Sequence, residues 1–250
     1  PVAPSAVKAP RDYLAEPRAL KNAEVEQVIE DFLSAIRRAI QAGFDGVELH
    51  GANTYLIQQF VSPHSNVRQD KWGGSLNNRL RFPKTLLKRA KQLVKEEADR
   101  PFLIGYRFSP EEIEEPGIQL YDTLKLLEQL IYHQVDYLHI STSDVWRSSI
   151  RDSQDSEPVI QKIIKKINGR VPLIGVGQIK TKQDAQRVLD AGIPLFALGK
   201  ALLLDPDWAE KVVSGREEEV IRAYRDELQA DLALPTAFVE DARSYLEGKD

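Results

Sequence analysis

Two rhythms of apolar and polar residues alternate along the chain. From Asn22 to Gly43, Val25, Ile29, Phe32, Leu33, Ile36 and Ile40 recur at helical spacing, which predicts an amphipathic helix with one buried stripe. Asn22 is the expected N-cap, Glu24 and Glu26 suit the first turn, and Gly43 closes the helix. The apolar run over 45–50 that follows is too short for a helix and reads as a buried strand. The pattern then repeats. Helices predicted at 79–97, 120–134, 156–168 and 181–191 lead into strands at 102–108, 136–141, 171–176 and 195–198. Helical segments at 206–213 and 216–231 complete the series. Ahead of it, Pro1, Pro4, Pro10 and Pro17 make residues 1–21 irregular.

Helix–strand alternation of this kind implies parallel strands joined by helical crossovers, an α/β fold. The loops on the two sides differ. Those after the strands are long and polar, notably 51–78, 109–117 and 142–156, whereas those before them are short. The working face therefore lies beyond the carboxyl ends of the strands. Five strands are found, while a closed (β/α)8 TIM-type barrel needs eight repeats in typically about 250 residues. The chain reads as the last five-eighths of such a barrel, lacking the first three strands. A five-stranded open sheet is the other option. The expected organisation is a single partial barrel over 1–250 with a helical tail at 210–250.

Composition narrows the function classes. The chain has 34 Lys and Arg against 38 Asp and Glu, a formal charge of −4, which disfavours nucleic acid as a partner. No run approaches the roughly 20 apolar residues of a membrane span. No signal peptide opens the chain, so a cytoplasmic location is expected. The absence of cysteine excludes disulfides, thiolate catalysis and iron–sulfur clusters, and no metal site is expected. An opening Pro1 and the lack of methionine suggest a processed or engineered sequence.

The most informative segment is His50-Gly51-Ala52-Asn53-Thr54-Tyr55. His50 ends a strand, and both His50 and Asn53 can donate hydrogen bonds. Converging on one carbonyl oxygen, they would withdraw charge as an enolate develops. Tyr55 offers a phenol for proton delivery. Taken alone, such a pair is more often a loop hydrogen-bond network.

Over Gly43–Phe82 the sequence GFDGVELHGANTYLIQQFVSPHSNVRQDKWGGSLNNRLRF resembles the old yellow enzyme family of flavin-dependent ene-reductases, most of all its bacterial NADH:flavin oxidoreductase branch. The likeness continues more weakly to about Asp207. It implies a (β/α)8 barrel that holds FMN, with NADH or NADPH as reductant. It also implies reduction of an α,β-unsaturated carbonyl or nitro compound by hydride transfer from flavin N5 and protonation by Tyr55. His50 and Asn53 would hold the substrate oxygen, and Arg107 would face the flavin near N1 and O2, where a cation stabilises the reduced ring. Gly175 and Gly177 after one strand, and Gly199 and Lys200 after the next, stand where barrel phosphate sites commonly lie. The family usually has arginine at the position of Lys200, and lysine binds phosphate as a point charge rather than a fork.

Arg68, Asp70, Asn78 and Arg79 are expected to pin the long loop rather than to act in catalysis. His139, inside a strand, is expected to be a satisfied buried histidine, and Trp72 stands where the family often has tyrosine. An open parallel sheet exposes two edges, so the chain is expected to form a homo-oligomer or to associate with the missing amino-terminal part of the barrel. The expected partner is a small-molecule substrate, without nucleic acid or membrane. The rival reading is a non-catalytic fragment or engineered partial barrel that self-associates and binds no flavin. Another phosphate-binding barrel enzyme, such as an aldolase, ranks lower.

Overall fold

The computed structural model describes residues 1–9 and 15–247, so Pro10, within the proline-rich segment, lies outside the described residues. The chain forms two compact units, Pro1–Ile174 and Gly175–Asp250.

The first unit opens with a short parallel pairing of β1 (Val2–Ala3) and β2 (Arg18–Ala19). Helix α1 (Asn22–Gln41) follows. Its cap is Lys21 rather than Asn22. The Glu24 carboxylate accepts the Lys21 N–H at 2.7 Å, and this fixes the start one residue earlier than the side-chain preference predicts. Helix α1 buries Val25, Ile29, Leu33 and Ile36, each contributing at most about 1.5–3 kcal/mol.

Strand β3 (Gly46–Gly51) leads into the long segment, which holds two short helices, α2 (Leu56–Val61) and α3 (Leu76–Arg79). Then come α4 (Arg81–Glu97), β4 (Leu103–Phe108), α5 (Leu120–Tyr132), β5 (Tyr137–Ile140), α6 (Val159–Ile167) and β6 (Leu173–Val176). The predicted helix at 79–97 thus divides at Leu80, and α6 starts at Val159 because Pro158 occupies its cap. Strands β3 to β6 pair in parallel and in sequence order, each joined to the next by a helical crossover.

Register sorts the side chains onto two faces. Leu49, Ile104, Tyr106, Phe108, Leu138, Ile140 and Leu173 are all buried on one. Glu48, His50, Arg107, Tyr137 and His139 alternate with them on the other. The long segment is stapled as its polar residues suggest. Arg68 pairs with Asp70 at 2.6 Å and donates to Pro4 O, and Arg79 donates to Val61 O and Gly74 O, both at 2.8 Å. Trp72 is fully buried, edge-on to Phe82, and Phe82 stacks on Phe60 at 4.1 Å. Its place is in the core.

The second unit contains α7 (Lys182–Asp190), β7 (Leu195–Ala197), α8 (Lys200–Leu204), α9 (Trp208–Val213) and α10 (Thr236–Glu247). The helix expected at 216–231 is replaced by two single turns, Glu217–Glu219 and Asp226–Leu228. The buried Asp205 carboxylate accepts the Ile221 N–H at 2.9 Å, and that bond takes a donor a continuous helix would need. No helix among the described residues is long and apolar enough to cross a membrane.

Candidate functional site

The site is built at the carboxyl ends of β3, β4 and β5. His50, Arg107 and His139 are direct neighbours in register, so their side chains leave the sheet on the same face at the same level. Directly after β3 the chain turns through Asn53 (φ 57) and Thr54 (φ 63). Two successive left-handed residues without glycine, one of them β-branched, cost of order 1–3 kcal/mol each. The turn brings Tyr55, the cap residue of α2, back over the strand end, and its ring lies 5.2 Å from that of His50. Tyr55 is exposed.

Ser141 ties the group together. Arg107 Nη2 donates to Ser141 Oγ at 3.2 Å, and Ser141 Oγ donates to Asn53 Oδ1 at 2.7 Å. The Asn53 backbone N–H donates to Ser109 Oγ at 3.0 Å. With its side-chain carbonyl committed to Ser141, Asn53 keeps its NH2 group for a ligand. Burial and the Arg107 charge hold His50 below the ordinary imidazole value, so it is neutral at pH 7 and offers one N–H. Two neutral donors and a phenol thus surround one strand end. Beside them a cavity of about 380 Å³ is lined by Asn53, Ser109, Ser141, Thr142, Arg147 and neighbours. Arg147 is already paired with the buried Glu111 at 2.9 Å.

A second layer lies beneath. His139 Nδ1 is 3.0 Å from Glu48 Oε2. Burial would raise the Glu48 pKa, but the hydrogen bond and charge of His139, then Tyr137 and the Arg107 charge, outweigh it, and the carboxyl sits below its usual range. Burial and Glu48 together push the Tyr137 phenol up to about 12. His139 is half-buried rather than a fully satisfied core residue, because its Nε2 is buried without a partner. Sequence reasoning passed over Glu48 and the bridging role of Ser141. The available signal was the alternation of Glu48 and His50 in a strand whose other residues are apolar.

The remaining predicted residues belong to the second unit. Gly175 lies in β6, and Gly177 (φ 112) with Gln178 (φ 53) turns the chain just after it. Gly199 and Lys200 follow β7. Beside Gly199 an added Cβ would meet only Tyr245 Oη, at 3.8 Å, so its surface is open. The Lys200 ammonium rests over the Tyr245 ring, 5.2 Å from its centroid. Of the eight residues singled out, His50, Asn53, Tyr55 and Arg107 share one strand-end cluster in the first unit; in the second, Gly175 is inside β6, Gly177 turns the chain after it, and Gly199 and Lys200 open α8.

The sequence profile of the NADH:flavin oxidoreductase / NADH oxidase family matches residues 1–219. The chain is 51% identical over 223 residues to the NADH:fumarate oxidoreductase of Klebsiella pneumoniae (strain 342), covering 88% of this chain and 24% of that protein. It is 46% identical over 203 residues to the probable NADH-dependent flavin oxidoreductase YqiG of Bacillus subtilis (strain 168), covering 81% of this chain and 55% of that one. Among solved structures, the old yellow enzyme homologue of Zymomonas mobilis superposes with a TM-score of 0.69 at 27% identity, over 86% of this chain and 61% of that one. The chain thus spans from about a quarter to about three-fifths of the length of these proteins. The fold class is the TIM-type (β/α)8 barrel, of which this chain carries part.

Proposed function

The chain belongs to the NADH:flavin oxidoreductase / NADH oxidase family, and from that premise we propose that it is the catalytic part of an FMN-dependent, NAD(P)H-driven reductase of activated alkenes. The observation that carries this reading is the cluster of His50, Asn53, Tyr55 and Arg107 at one strand end. The residues fit the cofactor. Arg107 commits one Nη2 N–H to Ser141, and the rest of its five-donor fork is suited to an acceptor-rich ring edge. In the second unit, taken by itself, Gly199 leaves its backbone open just ahead of Lys200, chemistry suited to a phosphate. Bound FMN would supply two-electron chemistry, accepting hydride from the nicotinamide and passing it from N5 to the β-carbon of the substrate.

The chain's own residues then do the following. His50 and Asn53 hold the substrate carbonyl or nitro oxygen and withdraw charge from it. Neutral His50 serves as a hydrogen-bond donor without giving up a full proton. Tyr55, exposed beside His50, delivers its proton to the α-carbon, so hydride and proton together saturate the double bond. Ser141 sets the spacing between Asn53 and Arg107. Arg107 balances negative charge on the reduced ring.

The test is the visible spectrum of the purified chain after incubation with FMN and desalting. A retained flavin band, shifted from that of free FMN, is the expected result. Loss of all flavin on desalting would favour the non-catalytic reading, in which the chain keeps the family's residues without its cofactor.

A further inference from the structure

Two buried atoms on the polar sheet face have no hydrogen-bond partner: Arg107 Nε and His139 Nε2. Their residues stand opposite each other in the β4–β5 register, so both side chains leave the same face. Buried polar atoms rarely stay unpaired without a reason. These two are complementary. Arginine only donates. The Glu48 carboxylate, 3.0 Å from His139 Nδ1, only accepts, so Nδ1 carries the proton. In the neutral ring Nε2 is then a lone-pair acceptor. Tyr137 as well as His139 favours the ionised Glu48 carboxyl.

We propose that His139 is a positioning residue: Glu48 fixes its tautomer and ring plane, and its Nε2 accepts the Arg107 Nε–H when the cofactor is bound. The guanidinium already donates through Nη2 to Ser141 at one end. A second anchor at Nε stops the planar group from turning and presents its remaining N–H groups to one ligand edge. Carboxylate–histidine pairs that orient a third group serve metal ligands in the same way. The inference rests on the FMN reading above.

Two measurements test it. In the flavin-free chain, nitrogen-15 imidazole spectra must show Nδ1–H as the tautomer of the neutral form of His139, and with four histidines in the chain assignment is direct. An Nε2–H tautomer overturns the proposal. In the FMN-loaded chain, His139→Leu is expected to weaken FMN binding about tenfold. It should also lower the flavin midpoint potential by about 30 mV, the equivalent of reduced flavin losing tenfold more affinity than oxidised flavin in a two-electron couple. His139→Gln, which keeps an acceptor at the reach of Nε2, is expected to restore most of both. His139→Asn, one atom too short, is expected to behave like Leu and replaces it if the Leu variant does not fold. A potential unchanged in Leu or Asn, or a Gln variant no better than either, overturns the positioning role while leaving the cofactor reading intact. A wild-type chain that takes up no FMN overturns the cofactor reading and this inference with it, and is seen before any variant is made.

Discussion

The two faces of the β3–β6 sheet come from the same strands and differ in everything but backbone. On one face Leu49, Ile104, Tyr106, Phe108, Leu138 and Ile140 are nearly or wholly removed from solvent. On the other, within one residue of all of these but Ile104, stand Glu48, His50, Arg107, Tyr137 and His139. Barrel interiors are usually filled by branched apolar side chains. Here the face opposite the apolar core is ionic, bonded and only half-buried. A strand period of two lets a six-residue segment serve stability and chemistry independently. Substitutions should therefore separate cleanly by face.

Phe108→Ala is the largest break of that comparison. Phe108 is 1% exposed, and the variant should lose about 3–5 kcal/mol of unfolding free energy in urea titration. A loss below 1 kcal/mol would mean that this face is not the core.

Tyr55→Phe probes the opposite side. It should slow product formation at least about a hundredfold, the lower range for a positioned proton donor, while reduction of bound FMN by NADH proceeds at the wild-type rate in stopped flow. Its urea midpoint should stay unchanged, since Tyr55 is exposed. Equal slowing of both half-reactions would remove Tyr55 from the proton-donor role.

Gly105→Ala sharpens the boundary between the faces. A Cβ there would come within 2.0 Å of the Tyr137 ring, so the ring must shift. The expected cost is about 1–3 kcal/mol, read by the same titration. Tyr137→Ala should relieve it in the double variant.

The smallest effect is electrostatic. The folded-state pKa of His50 is depressed, first by burial and then by Arg107. Its contribution is therefore fully present above the ordinary value near 6.5 and is lost as the pH falls through the depressed one. Stability of the wild type should decline over that window, and His50→Gln should flatten this part of the profile. A profile identical in both proteins would show that His50 titrates as in the unfolded chain.

Much of this fold was legible in the sequence. The five strands and the crossover helices emerge because buried strands and amphipathic helices leave different periods in the apolar pattern. The cluster of His50, Asn53 and Tyr55 was legible because its residues lie within six positions of one another. Three things were hidden for physical reasons. Helix α2 is only six residues long, too short to show a period, and its place within the long polar segment masks it. The helix expected at 216–231 fails because Asp205, distant in sequence, captures the Ile221 N–H. The Glu48–His139 pair spans 91 residues and exists only once β3, β4 and β5 are laid in register. Local preference carries no record of such a partner.

The shared level of His50, Arg107 and His139 has a consequence for how faulty molecules behave. A slip of one residue in any of the three strands would exchange its two faces. Glu48 or Arg107 would then point into the apolar layer, and Leu49 or Phe108 would replace them at the strand ends. A mispaired chain cannot bury its core, so it cannot persist as a compact protein with a distorted site. Folding thus ties the row to the core: a chain that buries its apolar layer sets His50, Arg107 and His139 at one level, and a chain that slips does neither.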